Sequence, residues 1–177
     1  TKFPIITPNI SAKLTNYSLD KSSNINRTIL GTGVEVDFTT SKNKIIFGKE
    51  VKHRISPIIS YNYRQKKAQA SIPIFDTTDK YDNIITFEEL VSGERYAGFD
   101  RISNANDITI SLESSHREFK GFYDDKKEDV LNMRIAQSYF GDKEIVSNTN
   151  NLNYEKRKSY SDIAASVDLV LTNYILS

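Results

Sequence analysis

The chain has no cysteine, no tryptophan, one methionine and two histidines among its 177 residues. Without cysteine there is no disulfide, no thiol nucleophile and no thiolate metal ligand. The two histidines, His53 and His116, leave little room for a zinc site or a histidine-based triad. Charge of one sign is also missing: 24 Lys plus Arg stand against 23 Asp plus Glu, a net of +1. The broad basic field of a nucleic-acid-binding protein is therefore absent, and no nucleic-acid partner is expected. No apolar run approaches the ~18 residues of a membrane helix; the longest, Ile163–Leu171, is interrupted by Ser166 and Asp168. The N-terminus, TKFPIITP, has neither a signal-peptide layout nor an initiator Met, so a piece of a longer chain is expected. The sequence offers no Gly-rich phosphate loop, nucleophile–histidine pair or metal-spaced cluster. Asp124 and Asp125, beside Lys126 and Lys127, read as a solvated turn. The expectation is a protein that is not an enzyme and uses no catalytic residue, metal or cofactor.

What the chain does have is apolar content of 38%, with 10 Tyr and 9 Phe, and a strong period of two. In Leu30–Phe38 the even positions are mainly apolar, while Glu35 and Asp37 fall on odd ones. Val51–Tyr63 carries Ile55, Ile59, Tyr61 and Tyr63 on one face and Lys52 and Arg54 on the other. In Asp107–Ser115, Ile108, Ile110 and Leu112 oppose Thr109 and Glu113. Val130–Tyr139 sets Met133 and Ile135 against Arg134, and Ser161–Tyr174 sets Val167 and Leu169 against Asp168. Strands put successive side chains on opposite faces, so each segment is a ribbon with one greasy and one polar side. Ile10–Leu19 is a weaker ribbon, and a tight turn is expected at Ser41–Lys44. No segment shows convincing helical spacing, and Leu90–Val91 reads as loop. The class is all-β, in antiparallel hairpins.

The connections alternate in length. Ser41–Lys44 is short, Arg64–Asn106 very long, Lys120–Asp129 shorter and Gly141–Tyr160 long. Long structureless connections are uncommon in compact soluble domains. Short turns on one side and long loops on the other is the habit of outer-membrane barrels. The strands also run to about the length of a tilted membrane crossing. Tyr61, Tyr63 and Tyr139 fall at the long-loop ends, with Phe38, Phe119 and Tyr174 expected at the opposite ends. In a membrane these would be interfacial girdles; in a soluble sheet they are rim residues. The mid-strand charges Glu35, Asp37, Arg54, Glu113, Arg134 and Asp168 suit a water-filled lumen or a solvated sheet face equally. Periodicity alone leaves a membrane barrel and a soluble sandwich or barrel both open. The basic residues Arg64, Lys66, Lys67, Arg95, Lys156, Arg157 and Lys158 lie in long connections. They suit either a solvated loop or one facing lipid phosphates.

Three successive elements then carry a resemblance. RISPIISYNYRQ places Pro57, Tyr61 and Tyr63; SIPIFDT places Pro73, Phe75, Asp76 and Thr77; GFDRISNAN places Gly98, Phe99, Asp100, Arg101, Ile102, Asn104, Ala105 and Asn106. Downstream, MRIAQSYF supplies Gln137, Tyr139 and Phe140, and upstream stand NYSLD and NRTILGTGVEVDF. In order and approximate spacing these resemble the C-terminal barrel of the LPS-assembly protein LptD (Imp/OstA) family. GFDRISNAN is the most specific piece. Departures are Ser56 and Ile58 around the strand proline, Asp107 after Ala-Asn, and Ala136 before Gln137.

The resemblance implies that residues 1–177 are an internal part of that outer-membrane β-barrel, with a long loop at about 64–106. Six or seven strands would belong to a barrel of roughly twenty-six. It implies a place in the outer-membrane translocon that inserts lipopolysaccharide into the outer leaflet of a Gram-negative bacterium. The implied partners are an LptE-type lipoprotein plug, periplasmic bridge proteins, lipopolysaccharide and outer-membrane lipids. The rival from the residues alone is a soluble β-sandwich carbohydrate-binding or adhesin module. In the motif, Asp100 and Arg101 are chain neighbours and point apart in extended backbone. Each is expected to anchor the long loop by bonding other groups. The face bearing Val34, Val36, Ile55, Ile59, Ile110, Ile135 and Val167 is expected to meet lipid, and the charged face a lumen.

Overall fold

The computed structural model describes residues 3–18, 24–46, 49–82, 84–118, 129–149 and 152–169. The chain runs through β1 (Ile5–Tyr17), β2 (Ile25–Asp37), β3 (Thr40–Ile46) and β4 (Lys49–Arg64). Next come β5 (Thr78–Asp79), α1 (Phe87–Ser92), β6 (Tyr96–Ala97), β7 (Ala105–Glu118) and β8 (Asp129–Phe140). β9 (Glu144–Val146), β10 (Tyr154–Lys156) and β11 (Ala164–Leu169) complete it. Seven strands form one antiparallel sheet in the order β1-β2-β4-β7-β8-β11, with β3 also paired to β4. The sheet does not close on itself. Its Val, Ile, Thr, Ser and Tyr content, alternating by face, suits a pleated surface. The expected turn carrying Asp124, Asp125, Lys126 and Lys127, and the aromatic residues Phe119 and Tyr174, lie outside the described residues.

Two expectations from the sequence are corrected. The first is the turn at Ser41–Lys44, which is strand. β2 and β3 lie along the same edge of β4 in one unbroken frame, Asp37 facing Ile58 and Thr40 facing Ile55. Phe38 and Thr39 interrupt it opposite Pro57. Phe38 N donates to Pro57 O at 2.9 Å, but proline has no N–H to return the bond. Locally, Thr39 N bonds Asp37 Oδ1 at 2.7 Å instead. Phe38 thus sits at the β2–β3 break in mid-sheet, not at the rim of the sheet. The polar run TTSKNK looked like a turn because its own alternation is weak; its pairing to β4 makes it strand.

The second correction is α1, read from the sequence as loop. Thr86 caps it: Thr86 Oγ1 accepts from Glu89 N at 3.2 Å and Glu89 Oε2 accepts from Thr86 N at 3.0 Å. Gly93, at φ +65°, ends it. This reciprocal capping box satisfies two end donors of a helix too short to show a period. Its Phe87 and Leu90 pack with Ile85 onto Ala136 of β8 and Ala164 of β11. Thr86→Ala is expected to destabilise this helix by about 1 kcal/mol, read as faster amide exchange at residues 87–92 and unchanged exchange in β7.

Candidate functional site

The register assigns every strand position to a face. One row runs Glu35, Ser60, Thr109, Ser138 across β2, β4, β7 and β8. A second runs Ser56, Glu113, Arg134, Ser166, and a third Arg54, Ser115, Asn132, Asp168. Asp37 heads a row through Ile58, Ser111, Ala136 and Ala164. Glu35, Asp37, Arg54, Glu113, Arg134 and Asp168 therefore share one face. The other face carries Leu14, Leu30, Val34, Ile59, Ile110, Leu112, Ile135 and Val167. It lies bare: Ile10 is 90% exposed, Val167 69% and Ile110 61%.

The polar face is covered over its long-loop half, while Lys52, Arg54 and Asp168 stay exposed toward the other end. Residues 65–82 and 84–104, between β4 and β7, fold back over it, burying Gln69, Ile72, Leu90, Tyr96, Arg101, Ile102 and Asn104. Small hydroxyl residues line the floor; Thr109 and Ser138 bond each other at 2.7 Å, so the loop approaches the sheet closely. Arg134 reaches up from the sheet to Glu88 of α1 and sideways to Asp168 at 3.0 Å, and its guanidinium lies 5.0 Å from the Phe87 ring centre. Near the strand break, Arg54 Nε donates to Ser56 Oγ at 3.0 Å, and Thr39 Oγ1 also donates to Ser56 Oγ at 2.8 Å.

The GFDRISNAN stretch lies where the loop returns to the sheet. Asp100 Oδ2 accepts from the backbone N–H of Phe75 at 2.6 Å and of Asp76 at 2.8 Å. Asp76 Oδ1 accepts in return from Phe99 N at 3.1 Å. The PIFDT and GFDR elements thus interlock through their aspartates. Gly98 stands at φ +84°; a Cβ there would lie 2.5 Å from Asp76 O, so only glycine fits. Arg101, 1% exposed, donates through Nη1 to Ile72 O at 2.7 Å, and its N–H donates to Thr77 Oγ1 at 3.1 Å. Asn104 bonds the second long connection: Nδ2 donates to Glu144 O at 2.9 Å and Oδ1 accepts from Val146 N at 2.9 Å. Asn106 Oδ1 accepts from Tyr61 OH at 3.1 Å. Ile102 is buried, and Phe99 is exposed at 77%.

Several residues that hold this arrangement carried little or no legible signal. Arg27 of β2, 3% exposed, donates to Gln69 Oε1 at 2.6 Å and to the carbonyls of Asp100 and Phe99 at 2.7 and 2.5 Å. Gln69 Oε1 accepts from Ile102 N at 3.1 Å and its Nε2 donates to Ile102 O at 2.8 Å. Glu94 Oε1 takes Lys13 of β1 at 2.7 Å and Arg64 of β4 at 3.0 Å, bridging two strands across β2, where Gly31 faces Arg64. Only the polar face of β2 hinted at Arg27; Gln69 and Glu94 sit in loop, where spacing says nothing. Most of the basic loop residues are paired: Lys66 with Glu144 at 2.8 Å, Arg95 with Asp79 at 2.5 Å and Arg157 with Asp107 at 2.7 Å. Their main observable work is holding loops together.

The electrostatics follow the packing. Burial pushes the Tyr81 hydroxyl up to about 12 and raises that of Tyr96, which donates to Val146 O at 2.5 Å. Burial alone would raise the Asp100 carboxyl, but the amides of Asp76 and Phe75 outweigh it and hold the carboxyl below its usual 3.8. A depressed carboxylate contributes stability above its unfolded value and loses it as pH falls through the folded one. The loop is therefore expected to loosen only below about pH 4. Amide exchange at residues 75–76 checks this, and Asp100→Asn is expected to remove the acid step.

The family model described as "LptD: LPS transport system D" matches residues 1–176. The LPS-assembly protein LptD of Pseudomonas putida is 25% identical over 190 residues, covering 96% of this chain and 19% of that protein. Its counterpart in Aeromonas hydrophila is 29% identical over 115 residues, 65% of this chain and 13% of that protein. That of Aromatoleum aromaticum is 30% identical over 114 residues, 62% of this chain and 14% of that protein. The chain thus spans a fifth or less of the length of these relatives.

Proposed function

The chain belongs to the LptD family, and on that premise we propose that it is a stretch of the wall of an outer-membrane β-barrel that delivers lipopolysaccharide to the surface of a Gram-negative cell. The observation that carries this reading is the inverted sheet. A soluble sandwich packs its apolar face against a second layer and leaves its charges to water. Here the second layer, residues 65–104, packs on the charged face, and the apolar face stays bare. That is the polarity of a wall with lipid outside and a polar lumen inside.

The dimensions agree with that reading. On the outward face, Val34, Tyr61, Ile108, Tyr139 and Tyr160 form one row at the long-loop end. Lys42, His53, His116 and Leu131 form a row at the other end. From His53 to Tyr61 is eight residues of β4, about 27 Å at ~3.4 Å each. With a strand tilt of about 40° this gives a height of roughly 20 Å, close to the ~25 Å apolar band of outer-membrane barrels. The Tyr rings take the place of an interfacial girdle.

In this reading Glu35, Asp37, Arg54, Glu113, Arg134 and Asp168 line the lumen. Gly98, Phe99, Asp100, Arg101, Ile102, Asn104 and Asn106 anchor the loop that narrows it. The wall shelters the sugar headgroup from lipid, and no chemical step is assigned to its residues. An LptE-type plug and periplasmic bridge proteins complete the assembly. Depletion of the full-length parent protein in its host tests the proposal. Newly made lipopolysaccharide is expected to stop reaching surface-applied modifying enzymes; unchanged surface arrival overturns it.

A further inference from the structure

We infer that the outward row of Lys42, Lys44, His53 and His116 binds the headgroup of an anionic phospholipid in the leaflet at the hairpin end of the sheet. This rests on the membrane-wall reading above. Lys42 of β3 faces His53 of β4, which faces His116 of β7. Lys44 stands two residues along β3, opposite Val51, on the same face. The two imidazoles stack face to face, centres 4.2 Å apart and planes 13° from parallel. His53 Nε2 lies 3.1 Å from Ser114 Oγ. The Nδ1 of His116 is buried without a hydrogen-bond partner among the described residues.

Four nitrogen-bearing side chains thus gather at one edge of an otherwise apolar face. By register Glu118 of β7 falls on this face opposite Val51, one row nearer the strand ends than Lys42, His53 and His116. Glu50 points to the other face, where Asn43 bonds it at 3.1 Å. Two lysine ammoniums, with two imidazoles able to hydrogen-bond, directly below Ile55 and Leu112 are complementary to a phosphodiester whose acyl chains lie along those residues. A zwitterionic lipid carries its own ammonium and gains less from the site. Metal binding does not fit: parallel stacked rings do not aim two lone pairs at one point, and no cluster of three ligating side chains occurs among the described residues.

The test uses the full-length parent protein in vesicles of phosphatidylethanolamine with a minority of phosphatidylglycerol, followed by gentle extraction and native mass spectrometry of retained lipid. The wild type is expected to retain phosphatidylglycerol in preference to phosphatidylethanolamine. Lys42→Gln and Lys44→Gln should each lower that preference by about fivefold, the worth of one basic residue near an anionic surface. Lys42→Arg should keep it. Lys52→Gln removes the same charge beside His53 on the opposite face and should leave it unchanged. No preference in the wild type, or an equal loss in Lys52→Gln, overturns the site. Failure of the wild type to insert into vesicles at all would instead overturn the membrane-wall reading beneath it.

Discussion

Ile135→Arg is expected to cost the parent barrel about 2–4 kcal/mol of folding stability, the penalty for a cation at mid-bilayer depth. Ile135 lies in the row with Pro57 and Leu112, midway between the tyrosine row and the lysine–histidine row. Its neighbours on that face, Leu112, Met133, Ala165 and Gln137, include no carboxylate to receive a guanidinium. Val34 lies in the tyrosine row itself. There an arginine can reach headgroups, and Val34→Arg should cost only about 0–1 kcal/mol. Glu35→Arg, one residue away but on the charged face, should cost no more than that. Denaturant titration of the vesicle-embedded protein, read by heat-modifiable mobility, gives all three values. Equal costs at Ile135 and Glu35 would sink the assignment of faces.

Asp100→Ala should release the loop from the sheet while leaving the strands folded. The carboxylate is the shared acceptor for two part-buried backbone amides, bonds to a charged group worth about 1.5–3 kcal/mol each. Asp100→Asn keeps an oxygen for the two amides but loses the charge and the Oδ1 that accepts from Tyr17 OH at 3.3 Å, so it should cost about 1 kcal/mol. Gly98→Ala attacks the same lock from the other side. It forces a Cβ into the left-handed region at about 1–2 kcal/mol and into the Asp76 carbonyl as well. In all three, residues 70–100 should be cut faster by protease, in the order Asn, then the two Ala variants. Cleavage of the Asp100→Ala protein at the wild-type rate would remove the anchoring role.

The sheet was legible because its signal is local. Alternation in Val51–Tyr63 or Asp107–Ser115 needs only neighbouring residues, and the charges that mark the inner face repeat at the same period. The motif was legible as a motif, and the chain adjacency of Asp100 and Arg101 was enough to say that they bond different groups. Which groups they bond was not legible. Phe75 and Asp76 lie more than twenty residues from Asp100, and no period connects two irregular segments. Arg27 and Gln69 meet over 42 positions for the same reason. α1 was missed because six residues are less than two turns, too few to display helical spacing. Its capping box, Thr86 with Glu89 before apolar Leu90, was the signal available. β3 was missed because TTSKNK is polar and barely alternates; its pairing to β4, out of reach of any local period, makes it strand.

A photo-crosslinking amino acid placed at neighbouring positions of β7 in the full-length protein, in native membranes, tests the faces most directly. Ile110 points to the bare side and Ser111 lies buried beneath the loop. Lipid adducts are predicted from Ile110, and crosslinks into residues 65–104 from Ser111. Lipid adducts from Ser111, or protein crosslinks alone from Ile110, would contradict a wall with its apolar face to the membrane and its loop in the lumen.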